Sequence, residues 1–251
     1  MNLKIDYKSD YNTWFNSKYY HILYKDRDDK EAKKFILNLT QYLDLRKKAT
    51  ILDAACGKGR HSIEIEKLGY NVTGIDLSVN SINHAKKFEN SNLKFFVHDI
   101  LIPFGKKFDA VFNLFTSFGY YNRDKDIQIL SSIDENLKEN GIGVIDFLNI
   151  YDVRKKLVKK EIVKKEGIHF DISRKITKKT IQKIISFNDS SKNFTFKESV
   201  NYLDLNDFKK YFVKTNLEII EVFGDYKLNK FDKYNSTRLI ILFKKKSRSN
   251  K

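Results

Sequence analysis

The sequence predicts an α/β fold: an open sheet covered by helices on both faces, with a small antiparallel β meander inserted late in the chain. Short apolar runs alternate with amphipathic helical runs between residues 50 and 149. A strand, a glycine-rich turn and a helix follow one another from Thr50 to Leu68. Between Glu161 and Asp204 the alternation gives way to three β-rich runs. A length of 251 residues allows one such unit, insertion included, with a sizeable core.

The N-terminal stretch from Tyr11 to Phe35 crowds Trp14, Phe15, Tyr19, Tyr20, Leu23 and Tyr24 together, too aromatic a set for a free tail. From Asp29 to Leu45, apolar residues at Ala32, Phe35, Ile36, Leu39 and Leu43 keep a helical spacing, so this segment packs on the sheet ahead of the first strand. That strand carries Ile51 and Leu52 and ends on Asp53. Gly57-Lys58-Gly59 then turns the backbone into a helix bearing Ile63, Ile65 and Leu68. The helix start offers unpaired N–H groups to a ligand. The second strand, Tyr70 to Ile75, ends on Asp76, whose carboxylate is placed to accept the two hydroxyls of a ribose.

The run GKGRHS is a near fit to the dinucleotide pattern GxGxxG, with Ser62 at the third glycine, so the glycines alone leave two cofactor classes open. Asp53 tips the balance, because an acid before the loop lies close to the anionic pyrophosphate of NAD but suits the cationic methionine end of S-adenosylmethionine. With that residue the block resembles motif I of the class I S-adenosylmethionine-dependent methyltransferases. The resemblance implies a Rossmann-like seven-stranded sheet and S-adenosylmethionine as cofactor, held by Asp53, Ala54, Ala55, Gly57, Gly59, Asp76 and Leu77. The pattern W-F-x-S-x-Y-Y-x-x-L-Y-x-x-R-D, Trp14 through Asp28, resembles a bacterial subgroup in which an N-terminal segment closes over the cofactor. It makes Tyr20 and Arg27 candidates for the cofactor, beside the alternative of a plain aromatic latch.

Ser78 caps a helix running through Ile82, Ala85 and Phe88. The third strand, Leu93 to Val97, leads to His98-Asp99-Ile100, where the family binds adenine, with Asp99 for its amino group. His98 stays open between a plain loop residue, a cofactor contact and a base. The fourth strand, Asp109 to Phe115, places Asn113, Leu114 and Phe115 at motif IV beside the methyl group. Phe118, Gly119, Tyr120 and Tyr121 follow, where an acceptor can rest. A helix from Lys125 to Lys138 is expected to stop at Asn140-Gly141, before a fifth strand from Ile142 to Phe147.

The meander, Ile168 to Thr177, Thr180 to Asn188 and Asn193 to Leu203, resembles the substrate lid of related small-molecule enzymes. Arg174 and Glu198 are charges within its strands, and either grips the substrate or faces water. Asp204 caps a helix ending near Thr215, and Leu217 to Phe223 with Arg238 to Phe243 form a hairpin at the sheet edge. Between them Tyr226 belongs to a loop bordering the pocket. Asp152, Asp189 and Asp232 are expected in turns.

The whole is expected to be one domain: an aromatic segment and helix at 1–46, the cofactor core at 47–149, the lid at 150–203, a helix and hairpin at 204–244, and a basic tail at 245–251. Five histidines and the single Cys56 show no CxxC or HExxH spacing, so no metal is expected. The lone cysteine excludes an internal disulfide framework, and Met1 to Trp14 lacks a signal peptide's apolar core, which together favour the cytoplasm. No apolar run approaches the ~20 residues of a membrane span. A net charge of +16, from 48 Lys+Arg against 32 Asp+Glu, makes a nucleic-acid partner conceivable but not favoured, since the charges are dispersed except at Lys244-Lys245-Lys246-Ser247-Arg248. The expected activity is methyl transfer to a small molecule. An RNA or protein methyltransferase, or a cofactor-binding protein without activity, are the alternatives. Transfer needs alignment more than a dedicated acid, so no catalytic residue is named.

Overall fold

The computed structural model describes residues 13–26 and 29–246. In chain order it contains α1 (Lys18–Leu23), α2 (Asp29–Leu43), β1 (Thr50–Ala54), α3 (Arg60–Lys67), β2 (Asn71–Asp76), α4 (Val79–Ala85), β3 (Leu93–Val97), β4 (Phe108–Asn113), α5 (Arg123–Asn136) and β5 (Leu137–Leu148). After these come α6 (Ile150–Lys156), β6 (Lys160–Lys165), β7 (Ile168–Ile176), β8 (Thr180–Asp189), β9 (Lys192–Asn201), α7 (Leu205–Val213), β10 (Leu217–Phe223) and β11 (Arg238–Lys245). Seven strands form the main sheet in the order β10-β11-β5-β4-β1-β2-β3, and β6 to β9 form a separate four-stranded antiparallel sheet.

Strands β1 to β5 pair in parallel, and β11 enters antiparallel between β5 and β10. This is the Rossmann-like methyltransferase sheet, with its strand order reversing between β1 and β4. Apolar residues of α2, α3 and α4, among them Phe35, Ile36, Leu39, Ile65 and Ile82, cover one face. The other is covered by Ile129, Leu130 and Ile133 of α5 with Phe208 and Phe212 of α7. Local sequence sets the helix starts. Ser78 and Asn122 each accept a backbone N–H two or three residues into their helix, and Asp204 with Asp207 makes a reciprocal capping box on α7.

Four expectations need correction. Helix α5 stops at Asn136 rather than at Asn140-Gly141, because Leu137 turns extended (ψ 138°), pairs with Phe108 of β4 and is fully buried. Burial and pairing of Leu137 outweigh the weak helical pattern that continues past it. The lid has four strands, not three: β6, with the sequence KEIVKK, pairs along its length with β7. Four of its six residues are charged, so it carries no apolar strand pattern. Asp152 lies in the first turn of α6, where it forms an i,i+4 ion pair with Lys156 at 2.7 Å. Phe118, expected beside the acceptor, is fully buried against Phe208 in the core below.

The lid does not stand alone. Phe170, Ile172, Ile185, Phe187 and Phe196 of its inner face bury Trp14, Tyr19 and Leu23, giving a third apolar cluster. The N-terminal aromatic segment is thus the lid's packing partner, which its composition alone did not show. Hydrogen bonds join the lid to the core on the far side. Asn201 of β9 donates its backbone N–H to Gly119 O and its amide to Tyr121 O and Asp126 Oδ2, each at 2.7 Å.

Candidate active site

The C-terminal ends of β1 and β4 flank the point where the strand order reverses, the place where open α/β sheets hold ligands. A cavity of ≈1020 Å³ opens there and runs to the inner face of the lid. At its lower end, the loop after β1 turns sharply. Gly57 (φ 56°) and Gly59 (φ 83°) lie in the left-handed region, and a Cβ on Gly59 would stand 2.6 Å from the Phe95 ring. Around Gly57 the same construction meets nothing within 4 Å, so the backbone there is open to a ligand.

Asp76, at the end of β2, accepts the Gly57 N–H (2.9 Å) on one carboxylate oxygen and the Ser78 N–H (2.8 Å) on the other. Burial raises its pKa, while these two donors pull it down. Its carboxylate lines the cavity with lone pairs to spare, as recognition of a diol requires. Ala55, Leu77, Ile100, Leu114, Phe115 and His98 line the same end. His98 Nε2 lies 2.9 Å from Ile102 O and its ring is edge-on to Phe104, which fixes it as a wall of the slot after β3.

Other expected cofactor residues do not line the cavity. Asp53 is 1% exposed; its carboxylate accepts the Ser62 hydroxyl at 2.5 Å, and burial pushes its pKa up to about 6. It braces the glycine loop against the start of α3 rather than lining the cavity. Ala54 and Asn113 are buried as well, and Asn113 donates to Ala54 O at 2.9 Å, tying β4 to β1. Asp99 accepts the Leu101 N–H at 2.9 Å and shapes the turn that presents Ile100. Arg27 lies outside the described residues. Cys56 is a buried thiol whose pKa burial pushes well up, which suits packing rather than nucleophilic work.

The upper end is aromatic and ionic. Phe15 meets both Tyr20 and Tyr120 edge-on (5.0 and 5.5 Å between centroids), and Tyr20 meets Tyr24 at 4.9 Å, so one aromatic wall joins the N-terminal segment to the loop after β4. Tyr121 also lines the cavity. Facing that wall, Arg174, Lys183 and Glu198 lie opposite one another on β7, β8 and β9 and form one cross-strand row on the lid's inner face. All three line the cavity. Arg174 is paired with Glu161 at 2.5 Å. Glu198 Oε1 accepts from both Trp14 Nε1 and the Tyr24 hydroxyl at 2.7 Å, and Lys183 in turn bonds the Tyr24 hydroxyl. Lys183 was not singled out from the sequence; its register opposite Arg174 and Glu198 is the signal that finds it. Tyr226, expected at the rim, instead stacks on Phe35 (4.4 Å) and donates to buried Asp146 at 3.1 Å.

The backbone just past β4 is unusual. Phe115 (φ 56°) and Thr116 (φ 59°) are consecutive non-glycine residues in the left-handed region, where each costs roughly 1–2 kcal/mol. Both line the cavity. Among the described residues no group of three or more His, Cys, Asp or Glu could hold a metal ion, and no helix is long and apolar enough to cross a membrane.

A glycine loop after β1, a carboxylate facing the cavity after β2 and a slot after β3 are the parts of a nucleotide-cofactor site. Residues 51–141 match the family described as "Methyltransferase domain", which makes this stretch a methyltransferase domain of the class that uses S-adenosylmethionine. It is 36% identical over 107 residues to a putative methyltransferase, YqeM, of Bacillus subtilis (41% of this chain, 43% of that protein). Over 105 residues it is 28% identical to dTDP-3-amino-3,4,6-trideoxy-alpha-D-glucopyranose N,N-dimethyltransferase of Streptomyces venezuelae (39% of this chain, 42% of that protein). The chain thus spans less than half the length of these relatives. Its fold is that of an S-adenosylmethionine-dependent methyltransferase from Clostridium acetobutylicum, with a TM-score of 0.76 at 22% identity over 91% of this chain and 96% of that one.

Proposed function

We propose that the protein transfers the methyl group of S-adenosylmethionine to a small molecule held between the core and the lid. The observation that carries this reading is the single cavity of ≈1020 Å³ reaching from Gly57 and Asp76 to Lys183 and Glu198. Pockets for one drug-sized ligand run to roughly 300–1,000 Å³, so this one is at the upper end and accommodates a cofactor with a small partner. The relative from Streptomyces venezuelae, named for an amino-sugar nucleotide, is consistent with an acceptor of that scale.

The bound cofactor supplies an electrophilic methyl group. Asp76 would hold the ribose hydroxyls, the open Gly57 turn would let the backbone approach, and Leu77 and Ile100 would offer apolar walls to the base. Tyr20, Phe15 and Tyr120 close the wall above, and the lid excludes water, which strengthens polar contacts inside. Among the described residues both donors to Glu198 use Oε1, which leaves Oε2 to accept an N–H or O–H of the acceptor and to orient its lone pair. The net charge of +16 belongs in this reading to solvated surface.

Incubation with methyl-labelled S-adenosylmethionine and a fractionated cell extract tests the proposal. Label is expected in the small-molecule fraction. Label confined to RNA or to protein would replace this reading by a macromolecular one.

A further inference from the structure

The conformation of Phe115 and Thr116 needs an external cause, since β-branched and aromatic residues avoid the left-handed region and two in succession avoid it more. Asp146 of β5 supplies that cause. It is 1% exposed, its Oδ2 accepts the Phe115 N–H at 2.9 Å, and its backbone carbonyl accepts the Thr116 N–H at 2.8 Å. Arg238, at the start of β11, donates through Nε to Asp146 Oδ1 (2.7 Å) and through Nη2 to Thr116 Oγ1 (2.9 Å). Tyr226 adds its hydroxyl to the same carboxylate from the other side. The strained turn is therefore over-determined by one carboxylate and one guanidinium fork, both brought in by neighbouring strands.

The turn's product is the placement of the Phe115 ring. It lies 4.8 Å from the Arg60 guanidinium and 6.5 Å from the His61 ring, at the start of α3, and so spans from β4 to the glycine loop along the cavity wall. A strained backbone persists where surrounding structure fixes it and is found at ligand clamps. We propose that Asp146 and Arg238 are positioning residues for the cofactor: they hold the Phe115-Thr116 turn in its left-handed form, so that Phe115 closes the cofactor end of the cavity before the ligand arrives. This rests on the cavity being the S-adenosylmethionine site.

Two variants separate this role from that of a merely structural ion pair. In Arg238→Lys the charge opposite Asp146 is kept, but a single ammonium cannot fork to Thr116 Oγ1. In Thr116→Val the shape is kept and only that hydroxyl is lost. S-adenosylhomocysteine affinity is measured by calorimetry well below the melting temperature, with amide exchange at residues 115 and 116 followed in the unliganded proteins. Binding to the parent protein tests the cofactor reading itself. Given that binding, both variants are expected to weaken it about tenfold and to speed exchange at the two amides while melting within a few degrees of the parent. If Thr116→Val binds within twofold of the parent with unchanged exchange, the fork has no positioning role and the proposal fails. Should Arg238→Lys not fold, Thr116→Val decides alone.

Discussion

At the cofactor end of the cavity, the groups that face inward come from short stretches of chain: the backbone of Gly57, the carboxylate of Asp76 and the side chains around His98 and Ile100. Each follows a strand whose position in the parallel sheet is fixed by buried apolar residues, and each is oriented by a turn a few residues long. At the lid end the facing groups are long ionic side chains, Arg174, Lys183 and Glu198, aligned only because β7, β8 and β9 pair in one register. They are steadied by the N-terminal segment, Trp14 and Tyr24 reaching Glu198 across more than 170 residues of sequence. One end is built from local sequence on a rigid scaffold; the other depends on long-range pairing.

That contrast is sharpest at Asp76. Replacing it with Ala would remove the proposed hydrogen bonds to ribose, each worth roughly 1.5–3 kcal/mol when charge-assisted, so S-adenosylhomocysteine affinity is expected to fall roughly a hundredfold or more with the fold intact. Calorimetry together with a melting curve checks both halves. An unchanged affinity would move the ribose contact elsewhere.

Glu198→Ala probes the other end. The loss of two partners on one carboxylate is expected to cost roughly 2 kcal/mol, lowering the melting temperature by about 4–8 °C. Trp14 is the only tryptophan, so its emission reports on the lid directly and is expected to shift as its indole N–H loses Glu198. Affinity for S-adenosylhomocysteine is expected to stay within about twofold. A parallel loss of cofactor binding would join the two ends into one cooperative unit.

The smallest effect is expected at Asp126, where Asn201 joins lid to core. Burial holds its pKa up at about 7, against 3.8 for an ordinary Asp, and its Oδ1 has no partner among the described residues. Between those values the folded protein keeps a proton that the unfolded chain has released, so raising the pH through this window charges a buried group and lowers stability. Asp126→Asn is therefore expected to flatten the fall in melting temperature between pH 4 and pH 7 and to raise it by a few degrees at pH 8. Melting curves across that range check the sign. A stability that rises with pH in the parent, or a variant less stable at pH 8, would show that the carboxylate is held charged.

Legibility in the sequence follows the same division. Strands β1 to β5 and the loop at Gly57 were readable because periodicity, glycine placement and terminal carboxylates are all local signals. Asp53 was legible as a member of the loop but not as its buried brace, since only the fold brings Ser62 over its carboxylate. The roles of Arg238 and Asp146 were invisible, for nothing in either strand's pattern announces a fork aimed at a turn in a third. In the lid, Arg174 and Glu198 were visible as charges inside strands, but their side of the sheet depended on a register no local pattern sets. Strand β6 was lost because its apolar residues do not alternate: Ile162 faces out, while Glu161 and Lys165 share the half-buried side with Val163.

The most direct measurement is a pair of calorimetric titrations of the unmodified protein, with S-adenosylhomocysteine and with NAD. The account predicts one micromolar site for S-adenosylhomocysteine and no measurable heat from NAD. Saturable NAD binding with no response to S-adenosylhomocysteine would contradict it, because the glycine loop and Asp76 would then serve a dinucleotide and the acceptor chamber would lose its methyl donor.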